Sequence, residues 1–411
     1  MSSCSRWFSS LTASLFVIAT LLSARTASAR RLPTPAQAAD YGAEARVLWR
    51  TVACGGEDPI PDNLPRKTIE SHCKEMRSVY ARFHKKWADV AAPVLSTLRP
   101  ASLPGSVLYP FGGGDLLFAM VVFPDATEIT SVSLERAGNV RTIDSMSKAD
   151  FKAGLADATW MIHRLASVEY SFTEHMEAMQ HSKLPVQLSM ALAALAAMGF
   201  EPVNLRYFEI MGDGSLRYLS EEELDSAAGP AGSAPGPRKR HGVDDGIPAA
   251  YGNIELTYRP IGQPNAPLRV YRSIAGNLHD SQLTSESPLY KHLAGKGSIA
   301  AMTKAASYLL WRDDFSHIRE LLLGHMTWML SDSTGILPMH AQPAGFAQET
   351  YGRFRGSLLG TDTTRNKDMI RLWRDQPERT LAFRFGYPDF EKKDGHLLVT
   401  RKQTQAQAQG K

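Results

Sequence analysis

The chain has 411 residues, of which 43% are hydrophobic, with 46 Lys and Arg against 42 Asp and Glu. That is enough apolar material for one large domain or two ordinary ones. A net charge of +4, scattered among carboxylates, excludes the basic stripe of a nucleic-acid-binding protein.

Residues 1–29 read as a secretory signal peptide. Arg6 precedes the apolar run Leu15–Leu22, and small residues lead to Ala27-Ser28-Ala29, after which cleavage is expected. The run is well short of the roughly 20 residues of a spanning helix, and no later stretch is long and uncharged enough to span. Cys4 precedes the run, so it is no lipid-attachment cysteine. The mature protein is therefore expected to be soluble, periplasmic or secreted, and without a transmembrane segment once the signal is removed. In that compartment Cys54 and Cys73 are expected to form a disulfide. The bridge would close the loop "GGEDPIPDNLPRKTIESH", worth about 3 kcal/mol by chain entropy. Only His72 lies alongside, too few ligands for a metal site.

Residues 30–100 form an N-terminal helical segment. Ile69, Cys73, Met76, Tyr80, Phe83, Trp87, Val90 and Val94 make one stripe of a long helix, which Pro93 should kink or end. A first α/β half spans 101–219. "SVLYPF", "GGGD", "LLFAMVVF" and "EITSVSLER" parse as strand, loop, short helix, strand. The three glycines are not a phosphate cradle. They lack the Gly-Lys-Ser/Thr of a Walker loop and the third-glycine spacing of a dinucleotide loop, and Asp115 would occupy the helix start that an anion needs. Ser147 to Asp150 has a capping-box pattern before a helix with Phe151, Leu155, Ala158, Ile162 and Leu165 on one face. Glu169 falls on the continuation of that stripe. Glu174, Glu177 and His181 would share a helix face and are the candidate metal ligands, a solvated face being the plainer reading. "VQLSMALAALAAMGF" is apolar all round and should be a buried helix ending at Gly199. Next come the antiparallel strands "NLRYFEIM" and "SLRYL".

Residues 220–250, rich in Ala, Gly, Pro and Ser, read as a low-complexity insertion, and 403–411 as a disordered tail. Between them, 251–402 is a second α/β half. It opens with "IELTYRP" and "LRVYRSI" as a hairpin. It continues with "AASYLLW" as a strand, "FSHIRELLLGH" as a helix with Phe315, Ile318 and Leu322 inward, and "MTWMLSD" as a strand. His325 shares that inward face. The fold class is α/β or α+β, a mixed sheet with antiparallel hairpins, long N-terminal helices and a two-fold internal strand–helix–strand repeat.

"YPFGGGDLLFAMVVFPDA", "SFTEHM" and "KAASYLLWRDDFSHIRELLLGHMTWMLSDSTGI" resemble blocks of an uncharacterised family of exported bacterial proteins, over roughly residues 73–385. In that family the glycine block more often resembles Tyr-Pro-Phe-Ser-Gly-Pro-Asp, from which Gly112 and Gly114 depart. The resemblance implies the architecture and no activity.

Catalytic motifs are lacking. Ser145-Met-Ser-Lys148 fits S-x-x-K and Tyr251-Gly-Asn253 could follow it, but the Lys-Thr/Ser-Gly element of a penicillin-binding site is absent. No cofactor is implied, and partners stay open: an envelope component or a small ligand. The leading reading is a ligand- or partner-binding or structural protein of the cell envelope. A metal-dependent or serine-type envelope enzyme is the alternative. If ligands gather at strand carboxyl ends, the candidate site is Tyr109, Asp115, Lys304, Tyr308, Asp313 and Asp314, with Phe111 and Trp311 among the nearby aromatics. The preferred competing reading makes Asp115 and Asp314 two independent helix N-caps.

Overall fold

In the computed structural model the described residues are 37–57, 59–167, 184–228, 247–354, 363–386 and 395–403. Glu169, Glu174, Glu177, His181, the signal segment, residues 404–411 of the tail and most of the insertion lie outside them. The first helices carry the predicted apolar stripe. They are α1 (Gly42–Thr51), α2 (Arg66–Phe83), a π-helical turn (His84–Ala88) and α3 (Asp89–Leu98). The expected stripe ran through Val90 and Val94, but Ala91, Leu95 and Leu98 are the buried residues. The π turn explains the correction, because one extra residue per turn rotates the following face by about 100°. Pro93 does not end the helix, which runs on to Leu98. Cys54 and Cys73 are disulfide-bonded, fastening the loop after α1 to α2.

Ten strands make one mixed sheet: β1 (Ser106–Pro110), β2 (Glu128–Ser133), β3 (Phe200–Ile210), β4 (Leu216–Tyr218), β5 (Ile254–Pro260), β6 (Arg269–Ala275), β7 (Ile299–Met302), β8 (Met326–Ser331), β9 (Phe346–Gly352) and β10 (His396–Lys402). Their order is β4-β3-β5-β6-β2-β1-β7-β8-β10-β9. The central five, β6-β2-β1-β7-β8, run parallel. The outer strands pair antiparallel, including the β3–β4 and β5–β6 hairpins read in the sequence. Short all-apolar runs such as "IAAM" of β7, buried throughout, suit parallel strands covered on both faces.

Two strand–helix–strand crossovers leave the middle of this sheet in opposite directions. From β1 the chain passes through α4 (Leu116–Val122) to β2; from β7 it passes through α7 (Ser316–His325) to β8. Right-handed crossovers that step to opposite sides must place their helices on opposite faces. The packing agrees: Phe118 of α4 packs on Trp87 with ring centroids 4.5 Å apart, in the core shared with α5 (Lys148–Ala166) and α6 (Val186–Ala197), buried at every position but Ala196. Ile318 and Leu322 of α7 belong to the core on the other face, with Leu108 and Met329. Adjacent β1 and β7 are thus the strands at which the winding reverses.

One expected element is different. "AASYLLW" is a 3-10 helix, Ala306–Trp311, and the strand lies before it at Ile299–Met302. The reason is local: Ala305 has φ 64° and ψ −82°, a turn that ends extended structure. The repeat is therefore "SVLYP" with "IAAM", which moves the equivalent of the β1 loop from Asp313 back to Lys304.

Candidate functional site: a cleft at the sheet reversal

A cavity of about 170 Å³ opens at the carboxyl ends of β1, β2, β6 and β7. Its polar groups come from the loops that leave β1 and β7. Asp115 arrives from the first and Lys304 from the second, and Lys304 Nζ lies 3.3 Å from Asp115 Oδ2, with both residues buried. The same oxygen accepts the Tyr109 hydroxyl at 2.7 Å. The ammonium also sits 3.6 Å from the centre of the Phe118 ring, a cation–π contact. Burial pushes the Asp115 carboxyl above its usual range, while Lys304 and the Tyr109 hydroxyl pull it back. Burial and the neighbouring carboxylate push the Tyr109 phenol well up, so it stays a donor.

The two Asp115 oxygens are treated unequally. Oδ2 takes both donors; Oδ1 is buried and has no partner among the described residues, and neither has the Ser133 hydroxyl, which ends β2 on the cleft wall. Phe111, Leu278, Leu309 and Phe315 supply apolar wall, and Leu134 stands 41% exposed beside them.

The backbone is constrained where it meets the cleft. Phe111 (φ 60°) and Ala305 (φ 64°) are two of three non-glycine residues with positive φ among the described residues. Ala305 adjoins Lys304, and Phe111 opens the loop that carries Asp115, a placement typical of functional loops. The buried Asp332 beyond β8 holds the Ala305 turn, its Oδ2 accepting the Ala305 N–H at 2.9 Å. Gly112 is required by contact, since a Cβ there would come within 2.8 Å of Tyr109 Cγ. Gly112 therefore serves close packing of the loop on Tyr109, and Gly113, with φ 49°, serves the turn.

Of the residues picked from sequence, the structure brings Tyr109, Asp115 and Lys304 together and leaves three aside. Tyr308 is half-buried on the 3-10 helix, and its neighbour Leu309 is the one on the cleft wall. Asp313 is exposed, and Asp314 is bound by Arg312 at 2.6 Å and faces His279 at 3.4 Å. In the turn Asp313–Phe315 it is Phe315 that lines the cleft, while the two carboxylates do not. The capping reading also needs correction. Asp115 makes no side-chain cap bond to α4. The start of α7 is capped from a distant loop by Asp280, which accepts the Ser316 and His317 N–H groups at 3.0 Å each. Ser133 and Leu278 were missed because local sequence does not reveal that β2 and β6 are parallel neighbours.

Other reactive groupings are already engaged. The donor atoms of Cys54, His72 and Cys73 lie within 4.8 Å of one another. The sulfurs are bonded to each other, however, and the His72 ring nitrogens contact Val52 O at 2.7 Å and Thr159 Oγ1 at 2.8 Å. Ser145 donates to the Thr142 carbonyl, and Asn253 bridges Phe208 and Ala275. His325 contacts the Gly297 carbonyl at 3.0 Å, the ordinary role of a lone histidine. Ser333 and His396 are 2.8 Å apart, but at 0% and 3% exposure an acyl donor has no approach. A larger hollow of about 300 Å³ at the amino end of β1 has loop walls, and its Arg99 is bound to the Val122 carbonyl. Convergent buried polar groups, rather than size, single out the cleft at the reversal. No helix among the described residues is long and apolar enough to cross a membrane. No protein-family model, curated protein or solved structure matches the chain.

Proposed function

We propose that this is an exported envelope protein that binds a small molecule in the cleft between the β1 and β7 loops. The carrying observation is the buried Asp115–Lys304 pair on the cavity wall, with one carboxylate oxygen left without a partner among the described residues. Buried charge is costly, and this pair lies on a cavity wall. Two constrained turns hold the pair at the place where ligands of wound α/β sheets gather. The disulfide fits an oxidising compartment and so supports export. A thermal-shift screen of cell-envelope metabolites tests the reading, with Leu309→Trp as the cavity-filled control. Ligands that stabilise the wild type and not the control support it. Equal shifts in both, or none in either, overturn it.

A further inference from the structure

The charge balance of the cleft narrows what can occupy it, granted the binding reading above. Among the described residues Asp115 Oδ1 is an acceptor with no donor, and leaving a buried acceptor unpaired is costly, so an occupant that brings an N–H or O–H is favoured. Ser133, 8% exposed and also unpaired, can give or take a hydrogen bond at the same wall. Lys304 already neutralises Asp115 across the other oxygen. A second cation would meet that ammonium, and an anion would meet the bare carboxylate oxygen. Glu135, the other carboxylate on the wall, has interactions of its own. Asn277, whose Oδ1 accepts the His279 N–H, is a further polar side chain on the wall, and Phe111, Leu278, Leu309 and Phe315 are apolar. A cavity of about 150 Å³ is known to take benzene, and this one is about 170 Å³.

We infer that the cleft selects an uncharged molecule of about one ring in size, with a hydroxyl or amide N–H directed to Asp115 Oδ1 and Ser133 and an apolar body against Phe111 and Phe315. The test is calorimetric titration of the exported protein at pH 7 with four probes of one shape: benzyl alcohol, toluene, benzylammonium and benzoate. Benzyl alcohol is expected to bind at least about tenfold more tightly than each of the others. Ser133→Ala is expected to reduce that advantage severalfold while leaving toluene binding unchanged, which also shows that the variant is folded. Toluene binding as tightly as benzyl alcohol, or either ion binding more tightly, overturns the proposed class while the cleft remains a binding site. If no probe binds, the class is overturned, and the metabolite screen with its Leu309→Trp control decides separately whether the cleft binds anything.

Discussion

Lys304 and Asp115 are paired inside the protein, so removing either exposes the cost of burying the other. Lys304→Met is expected to destabilise the protein by about 3 kcal/mol at pH 7, read by denaturant unfolding. The sign of its pH dependence follows from Asp115, whose carboxyl is raised by burial. A raised carboxyl favours folding fully below its unfolded value, near pH 4, and that advantage is lost as pH rises through the folded value. The gap between Lys304→Met and wild type should therefore be small near pH 4 and widen toward pH 8. Adding Asp115→Leu should recover part of the loss, because a neutral apolar pair carries no desolvation cost. The Tyr109 hydroxyl, left without its acceptor, limits that recovery. A pH-independent gap would mean that Asp115 does not carry the charge assigned to it. Residue type and position made Tyr109, Asp115 and Lys304 legible in sequence: Tyr109 lies in an apolar run, Asp115 in the loop after it, and Lys304 immediately before "AASYLLW". The bare state of Asp115 Oδ1 was not legible, because it depends on where two loops far apart in the chain meet.

At the scale of elements, caps and ion pairs decide how the loops around the cleft are held. Asp280 secures α7 from outside the helix, and Asp280→Ala should cost about 1 kcal/mol while Asp280→Asn, with one acceptor oxygen for two N–H groups, should fall between it and wild type; an unchanged stability in Asp280→Ala would rule out a capping role. Under the sheet, burial pushes the Glu128 carboxyl up, but Lys296 and Arg272 outweigh it and hold it at about 2. A depressed carboxyl contributes stability above its unfolded value, near pH 4.3, that disappears as pH falls toward 2. Glu128→Gln should flatten the stability profile in that window and lower stability at pH 7, and an unchanged acid limb would contradict the assignment. Helices with a clean apolar stripe and the two hairpins could be read from pattern alone. The π turn after α2 could not, because it changes the buried face without changing composition. The 3-10 helix at Ala306–Trp311 was mistaken for a strand because an apolar run of that length fits both.

For the whole molecule, the order of strands makes the site. Segments 101–219 and 251–402 contribute strands that lie side by side in one sheet, and the cleft exists only because β1 and β7 are neighbours wound in opposite directions. No local pattern states that adjacency, so sequence supplied the parts of the site without their partners. The Cys54–Cys73 bond ties the helical layer to its first loop, and its reduction should lower unfolding free energy by about 3 kcal/mol. Unchanged denaturant midpoints with and without reductant would show that the loop is held by packing alone. The central claim is that the reversal between β1 and β7 is a ligand site, and it is tested most directly by nuclear magnetic resonance titration with benzyl alcohol. The account predicts saturable shifts concentrated in Phe111–Asp115, Ser133–Leu134 and Lys304–Ala305, abolished by Leu309→Trp. Saturable shifts confined to other parts of the molecule, or shifts at the cleft that survive Leu309→Trp, would contradict it.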